Sequence, residues 1–316
     1  MIWFTPQAWY GMAVIMPLAL LLDWILGDPP NRFHPTAWMG GLIALAIRFR
    51  PWGSPAREFA YGALLTLGGM ALVSTLGLGL SRVASQLPLW AGILLQAMVL
   101  KLAISMRGLW RASGTVHAAL REGNLPEARR LLSWHLVSRD TAGLDPARVA
   151  AATVESVAEN ASDGTIAPLF FFALGGLPLA LAYRFLNTVD SMLGYRDADH
   201  EWIGKSAARL DDVFNFLPAR LAALCMVGAS MIHKRSSGVA AWRVLRRDAR
   251  LTASPNAGHP MSAMAGALGV ELEKTGVYRL GAGCRLPEER DILHARGLMV
   301  ASVLVSALAL SLATIL

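Results

Sequence analysis

Charge is scarce in this sequence, and that scarcity excludes a soluble domain of ordinary make-up. Only 16% of its 316 residues are Asp, Glu, Lys or Arg, against roughly a quarter in soluble globular domains. By contrast 54% are hydrophobic. Cysteine is nearly absent: Cys225 and Cys284 are the only two, too few for a disulfide framework, and Cys225 lies in an apolar run where packing is its ordinary role. No His/Cys set has zinc spacing and no Gly-x-Ser-x-Gly elbow occurs, so zinc and acyl-serine chemistry are not encoded, and nothing points to hydride transfer. Gly204-Lys205-Ser206 lacks the glycine a phosphate-binding loop needs five residues earlier, where Asp199 stands; Lys205 remains usable as a point charge for phosphate.

What is present is apolar blocks. Residues 60–80 and 297–316 carry no charge, 8–26 is interrupted only by Asp23, and 86–106 holds Lys101 near one end. Each is long enough to cross about 30 Å of hydrocarbon as a helix, and the Lys101 stem is expected to reach the interface. The first block lacks a basic leader and a small-residue cleavage site, so it reads as a retained helix. Two shorter blocks, 168–182 (broken by Gly175-Gly176 and Pro178) and 216–232 (holding Arg220), read as re-entrant or interior helices. The expected fold class is therefore an all-α polytopic helical membrane protein, one domain over 1–316, with helical and loop segments outside the spans forming the active site.

The net charge is +7, and Lys and Arg concentrate in 28–59, 105–167 and 233–296. The positive-inside rule places those segments in the cytoplasm. Because they adjoin spans, anionic lipid explains their charge and nucleic acid does not.

The polar segments carry the chemistry. A Gly-Asn break before Pro126 and the Leu144-Asp145-Pro146 break, with Asp145 as N-cap, delimit helices. The second helix runs from Pro146 through Asn160. Glu155 and Glu159 share one face of it, a like-charge pair that costs an isolated helix a few tenths of a kcal/mol. Either they share a cation or act as an acid/base pair, or they form a solvated edge. Asp163 follows closely, and an oxygen-rich set of this kind suits Mg²⁺ rather than zinc. Asn187, Asp190 and Ser191 share another face. Asp211-Asp212, Asn215 and Arg220 enter the 216–232 block, where ionisable residues are functional candidates. Ser254-Pro255-Asn256-Ala257-Gly258 has the density of small and turn residues that lets a backbone approach a ligand closely.

In their order, Gly27-Asp28-Pro29, His34-Pro35, Arg139-Asp140-Thr141, Glu155-x-x-x-Glu159-Asn160-x-x-Asp163-Gly164, Asn187-Thr188-x-Asp190-Ser191, Ala208-Arg209-Leu210-Asp211-Asp212, Asn215, Pro218-Ala219-Arg220 and Ser254-Pro255-Asn256-Ala257-Gly258 resemble the membrane-bound CobD/CbiB cobalamin biosynthesis proteins over roughly 20 to 300. The resemblance implies an adenosylcobinamide-phosphate synthase. Such an enzyme ligates (R)-1-aminopropan-2-yl phosphate (or aminopropanol) to the free carboxylate of adenosylcobyric acid, with ATP as co-substrate and Mg²⁺.

On that footing Glu155, Glu159, Asp163 and Asp190 are expected to bind metal or move protons, with Asp211 and Asp212 as further catalytic candidates. Lys205, Arg209 and Arg220 would hold phosphate or corrinoid carboxylate. Asp28, His34, Asn160, Asn187, Ser191, Asn215, Ser254, Asn256 and Gly258 would bind substrate. The implied setting is the cytoplasmic face of the inner membrane, with membrane lipid, other enzymes of the pathway or a second copy as partners. Ala37 and Ala151 stand where many relatives carry arginine. A Mg²⁺-dependent prenyltransferase would want a D-D-x-x-D motif, which Asp211-Asp212 does not continue. A non-catalytic corrinoid scaffold or transporter would spread its acids through the spans.

Overall fold

The computed structural model of the chain describes residues 6–195, 197 and 199–315. It is a helical membrane protein whose departure from the all-α expectation, among the described residues, is one short β-hairpin. Four stretches are long and apolar enough to cross a membrane: Pro55–Gln86, Leu89–Arg121, Pro146–Leu193 and Glu289–Ala313. A fifth follows if Lys205–Phe214 and Phe216–Ile232 act as one broken span. The chain divides into two compact units, 1–105 with 167–215 and 307–316, and 106–166 with 216–306.

The first unit contains α1 (Pro6–Leu26), α2 (Pro35–Ile47), α3 (Pro55–Gln86), α4 (Leu89–Lys101), α8 (Ala167–Leu193) and α9 (Lys205–Phe214). Lipid tails are as apolar as leucine, so close backbone approach rather than hydrophobic sorting holds such helices together. On α3, Gly62, Gly69 and Gly77 recur every two turns. A Cβ added to them would lie 1.9 Å from the Ile203 carbonyl oxygen, 2.1 Å from the Phe185 ring and 2.9 Å from the Pro178 backbone. Phe185, Leu186, Val189 and Leu193 of α8 fill the resulting core with Ile43, Val73 and Ile203. The opposite side of α3 belongs to lipid, as only 17% of its apolar window is buried in the protein.

Within 168–182 the helix is broken. Gly175 and Gly176 leave helical geometry, Gly176 at φ 63° and ψ −155°, a region essentially closed to residues with a Cβ. Irregular backbone inside an apolar stretch survives where protein covers it. Gly176 and Leu177 are buried, and Ser74 of α3 donates to the Pro178 carbonyl at 3.2 Å. Of the apolar window in Pro146–Leu193, 56% is buried.

Lys101 departs from expectation. It is 3% exposed and its Nζ donates to the Gly27 carbonyl, so the ammonium is spent inside the unit and does not reach the interface.

The second unit contains α5 (Met106–Arg121), α6 (Leu125–His135), α7 (Pro146–Ala161), a π-helical turn (Ser162–Ile166), α10 (Phe216–Ile232), α11 (Gly238–Asp248), α12 (Gly258–Leu268), β1 (Leu272–Lys274), β2 (Tyr278–Leu280) and most of α13 (Glu289–Ala313). The expected caps form: Asn124 accepts from the Glu127 N–H at 3.2 Å and Asp145 from that of Arg148 at 2.8 Å. Every residue of α7 from Val149 to Ala158 is buried, because α5, α6, α12 and β1 all pack on it. β1 and β2 pair antiparallel with Lys274 opposite Tyr278, turning at Gly276 (φ 75°).

We expect Gly77→Ala to destabilise the protein by about 1–3 kcal/mol, the usual cost of overpacking. Gly79→Ala, whose Cβ meets nothing within 4 Å, should be neutral. Thermal melting of both variants in detergent checks this.

Candidate functional site

On α7 the two glutamates are not a solvated edge. Glu155 is 4% exposed and Glu159 half-buried. An ionised carboxylate in such surroundings needs a partner, and Arg139, from the loop between α6 and α7, supplies it: its Nη2 donates to Glu155 Oε2 at 3.0 Å. Oε1 of Glu155 is buried and accepts no hydrogen bond of good geometry. The Tyr278 hydroxyl nevertheless stands close enough to act on that carboxylate. The hairpin also brings Lys274, whose charge acts on Glu159, as does that of Arg139. Burial, then the charges of Glu155 and Glu159, push the Tyr278 hydroxyl well above its ordinary range, so it stays a proton-bearing donor.

Asp163 is half-buried in the π-helical turn directly after α7, a distortion common at functional sites. Ser162 Oγ and Thr165 Oγ1 of the same turn are buried without hydrogen-bond partners. Asn160 is exposed and its amide donates back to the Ser156 carbonyl at 2.9 Å.

A second acidic centre lies in the first unit. Asp211 of α9 accepts through Oδ2 from Asn215 Nδ2 at 2.8 Å, and Asn215 Oδ1 accepts from the Tyr183 hydroxyl at 2.8 Å. Tyr183 is clamped against the Phe171 ring at 5.0 Å. This chain of bonds fixes Asp211, whose Oδ1 is buried and unsatisfied. The charges of Asp190 and Asp212 act on Asp211, and the Asn187 amide interacts with it. Asp190 and Asp212 are themselves half-buried. Like charges set against each other in a poorly solvated place invite a cation or a shared proton. Ser191 is exposed and its hydroxyl is turned to the Asn187 carbonyl at 2.8 Å.

The first loop makes a third cluster, also in the first unit. His34 Nδ1 accepts from the Thr36 N–H at 3.2 Å, capping α2, which leaves the ring proton on Nε2, 3.6 Å from Asp28 Oδ1. His34 is therefore both the structural histidine and the partner of an acid. Burial alone would raise the Asp28 carboxyl, but His34, Lys101 and Arg184 outweigh it and hold it below its ordinary value.

The remaining expected residues fare differently. Lys205 is engaged with Glu201 at 2.8 Å and lies over the Trp202 ring at 4.2 Å; Arg209 is exposed on α9. In the second unit, Arg220 Nη1 donates to Asn256 Oδ1 at 3.1 Å and Ser254 Oγ accepts from the Asn256 N–H at 3.3 Å. The close approach expected at Gly258 is real, but its neighbour is the chain itself: a Cβ there would lie 2.3 Å from the Ala249 carbonyl oxygen. Sequence reading missed Tyr278, Lys274 and Arg184 as site residues. Their signal was weak, since two three-residue strands show no periodicity and a lone arginine in an apolar run looks like many others.

Among the described residues no three Asp, Glu, His or Cys side chains stand close enough together to hold a metal ion unaided. The donors are nevertheless all oxygen, with a buried unsatisfied atom on Glu155 and on Asp211. That fits Mg²⁺, which keeps waters and substrate oxygens beside one or two carboxylates.

Comparison with known proteins bears directly on the family. The family model described as CobD/Cbib protein matches residues 16–307. The chain is 44% identical over 272 residues to the cobalamin biosynthesis protein CobD of Dehalococcoides mccartyi, covering 86% of this chain and 87% of the relative. It is 44% identical over 260 residues to CobD of Geobacter metallireducens, covering 82% and 81%. With the cobalamin biosynthesis protein CbiB of Salmonella typhi it shares 41% over 266 residues, covering 81% and 80%. No solved structure matches it. With that match and that coverage, the chain belongs to the CobD/Cbib protein family.

Proposed function

We propose that the chain works in cobalamin biosynthesis as an ATP-dependent acid–amine ligase. It joins (R)-1-aminopropan-2-yl phosphate, or aminopropanol, to the free carboxylate of adenosylcobyric acid at the cytoplasmic face of the inner membrane. The names of the relatives support the pathway. The observation that carries the reading is the Glu155–Glu159 pair on α7, Glu155 buried and Glu159 half-buried, furnished with Arg139, Lys274 and Tyr278.

A carboxylate is a poor acyl donor because amine attack would have to expel oxide. Transfer of the γ-phosphoryl of ATP to it gives an acyl phosphate and ADP. The amine then attacks the acyl carbon, phosphate leaves, and the nitrogen sheds a proton. Glu159, half-buried one turn beyond the Arg139-held Glu155, is suited to accept that proton. Lys274 and Arg139 counter the charge that gathers there. In the second unit Glu155 with Asp163 would hold Mg²⁺, and in the first unit Asp190 with Asp211 would hold one; such an ion would supply charge neutralisation for phosphate oxygens. Asp28, held ionised, and the Asn187 and Asn256 amides are offered as hydrogen-bonding groups for the substrates.

Glu159→Gln and Asp190→Asn are each expected to lower turnover by about 10²-fold or more in a reconstituted assay, with the protein still folded by thermal melting. Near-wild-type turnover in either would remove that residue from the mechanism. Chelation of divalent ions should abolish product and added Mg²⁺ should restore it; turnover that persists in excess chelator would contradict the metal assignment.

A further inference from the structure

In the second unit α10, α11 and α12 enclose a cleft of about 630 Å³ lined by Arg220, Trp242, Arg246, Arg247, Arg250 and His259, with apolar side chains between them. Its charge is unbalanced. The neighbouring carboxylate, Asp248, is taken up by Arg247 at 2.6 and 2.9 Å and by the Gly281 N–H at 2.7 Å. Among the described residues no carboxylate pairs with Arg220, Arg246 or Arg250.

The guanidinium of Arg220 is held in place. It stacks 3.5 Å from the Phe216 ring centre, and Nη1 donates to the Phe216 carbonyl at 2.6 Å and to the buried Asn256 at 3.1 Å. His259 adds an imidazole to the lining, its Nδ1 buried. Burial, then the charges of Arg220 and Arg250, hold that imidazole below its ordinary value, while a hydrogen bond at Asn256 works the other way. Several guanidinium groups without carboxylate partners, gathered in one cleft, create a positive field suited to an anion of more than one charge.

We infer that this cleft binds phosphate groups, and that its ligand is a soluble polyphosphate such as the triphosphate of a nucleotide. Planar guanidinium forks match phosphate oxygens pairwise, and several of them suit a chain of phosphates better than a single carboxylate. Trp242, 44% exposed, adds an aromatic ring to the lining on which a flat base can rest. The inference deepens the ligase reading and rests on it for the nucleotide, since carboxylate activation needs a polyphosphate seat. A lipid headgroup carries the same chemistry. The soluble ligand is favoured because Arg220, fixed by buried Asn256 and the Phe216 ring, belongs to the cleft as well as the exposed arginines of α11.

The test uses full-length protein in phosphatidylcholine nanodiscs and calorimetric binding of inorganic pyrophosphate and of ATP. Arg246→Gln with Arg250→Gln is compared with Arg290→Gln, a control at an exposed arginine paired to Glu288. Thermal melting confirms that each folds. The double variant should bind both ligands about tenfold more weakly or worse, as expected for lost charged hydrogen bonds, and the control should match wild type. Equal binding in all three proteins, or no pyrophosphate binding by wild type, overturns the inference. If the arginines instead govern only affinity for phosphatidylglycerol vesicles, the phosphate belongs to lipid and the soluble-ligand inference is likewise overturned. Should the double variant keep wild-type KM for ATP in amide formation, the cleft assignment fails and the ligase reading stands. Should pyrophosphate bind here while no amide forms, the reverse holds.

Discussion

A carboxyl group within a helix buried on all sides needs a polar partner, and Glu155 with Arg139 is the contact on which the second unit depends. The effective penalty for taking a charge out of water is several kcal/mol. The surrounding structure is arranged to keep the guanidinium in place. Ser156 of α7 donates to the Leu136 carbonyl at 3.0 Å, Thr141 to the Arg129 carbonyl at 3.0 Å, and Arg129 to the Leu144 carbonyl at 2.7 Å. The loop carrying Arg139 is thus tied to α6 before it and α7 after it. The β-hairpin closes the other side with Tyr278 and Lys274. A helix that presents acids under such constraint is built for something other than stability, because a buried ion pair adds little to it.

In the first unit the constraint is steric. Glycines on α3 admit α8 closely enough for its broken middle to be covered, and that cover lets Gly176 keep a conformation closed to other residues. The same close packing sets the C-terminal half of α8, with Asn187 and Asp190, beside α9 with Asp211 and Asn215. Position therefore follows from glycine spacing on a helix that bears no site residue itself.

Much of this was legible in the sequence. Charge-free runs of about twenty residues mark spans because lipid leaves backbone groups no partner but their own helix. Asp145-Pro146 and Asn124 mark helix starts because a cap needs only local geometry. The like-charged Glu155 and Glu159 stood out because a helix tolerates them only for a reason. What was hidden depends on tertiary contact. Lys101 looks like an interfacial lysine until the Gly27 carbonyl is placed beside it. Tyr278 and Lys274 join the site only through a hairpin too short to leave a pattern. The Gly258 motif reads as a ligand-facing backbone, whereas its small residue is needed against Ala249.

We propose carboxylate activation for attack by an amine as the work of the Glu155–Glu159 centre. The direct measurement supplies purified protein in lipid with adenosylcobyric acid, aminopropanol phosphate, Mg²⁺ and ATP, and follows the corrinoid by mass. The proposed reaction yields a corrinoid heavier by the amino-alcohol phosphate less one water, formed only when ATP is present. Unchanged adenosylcobyric acid bound to a folded protein would contradict it.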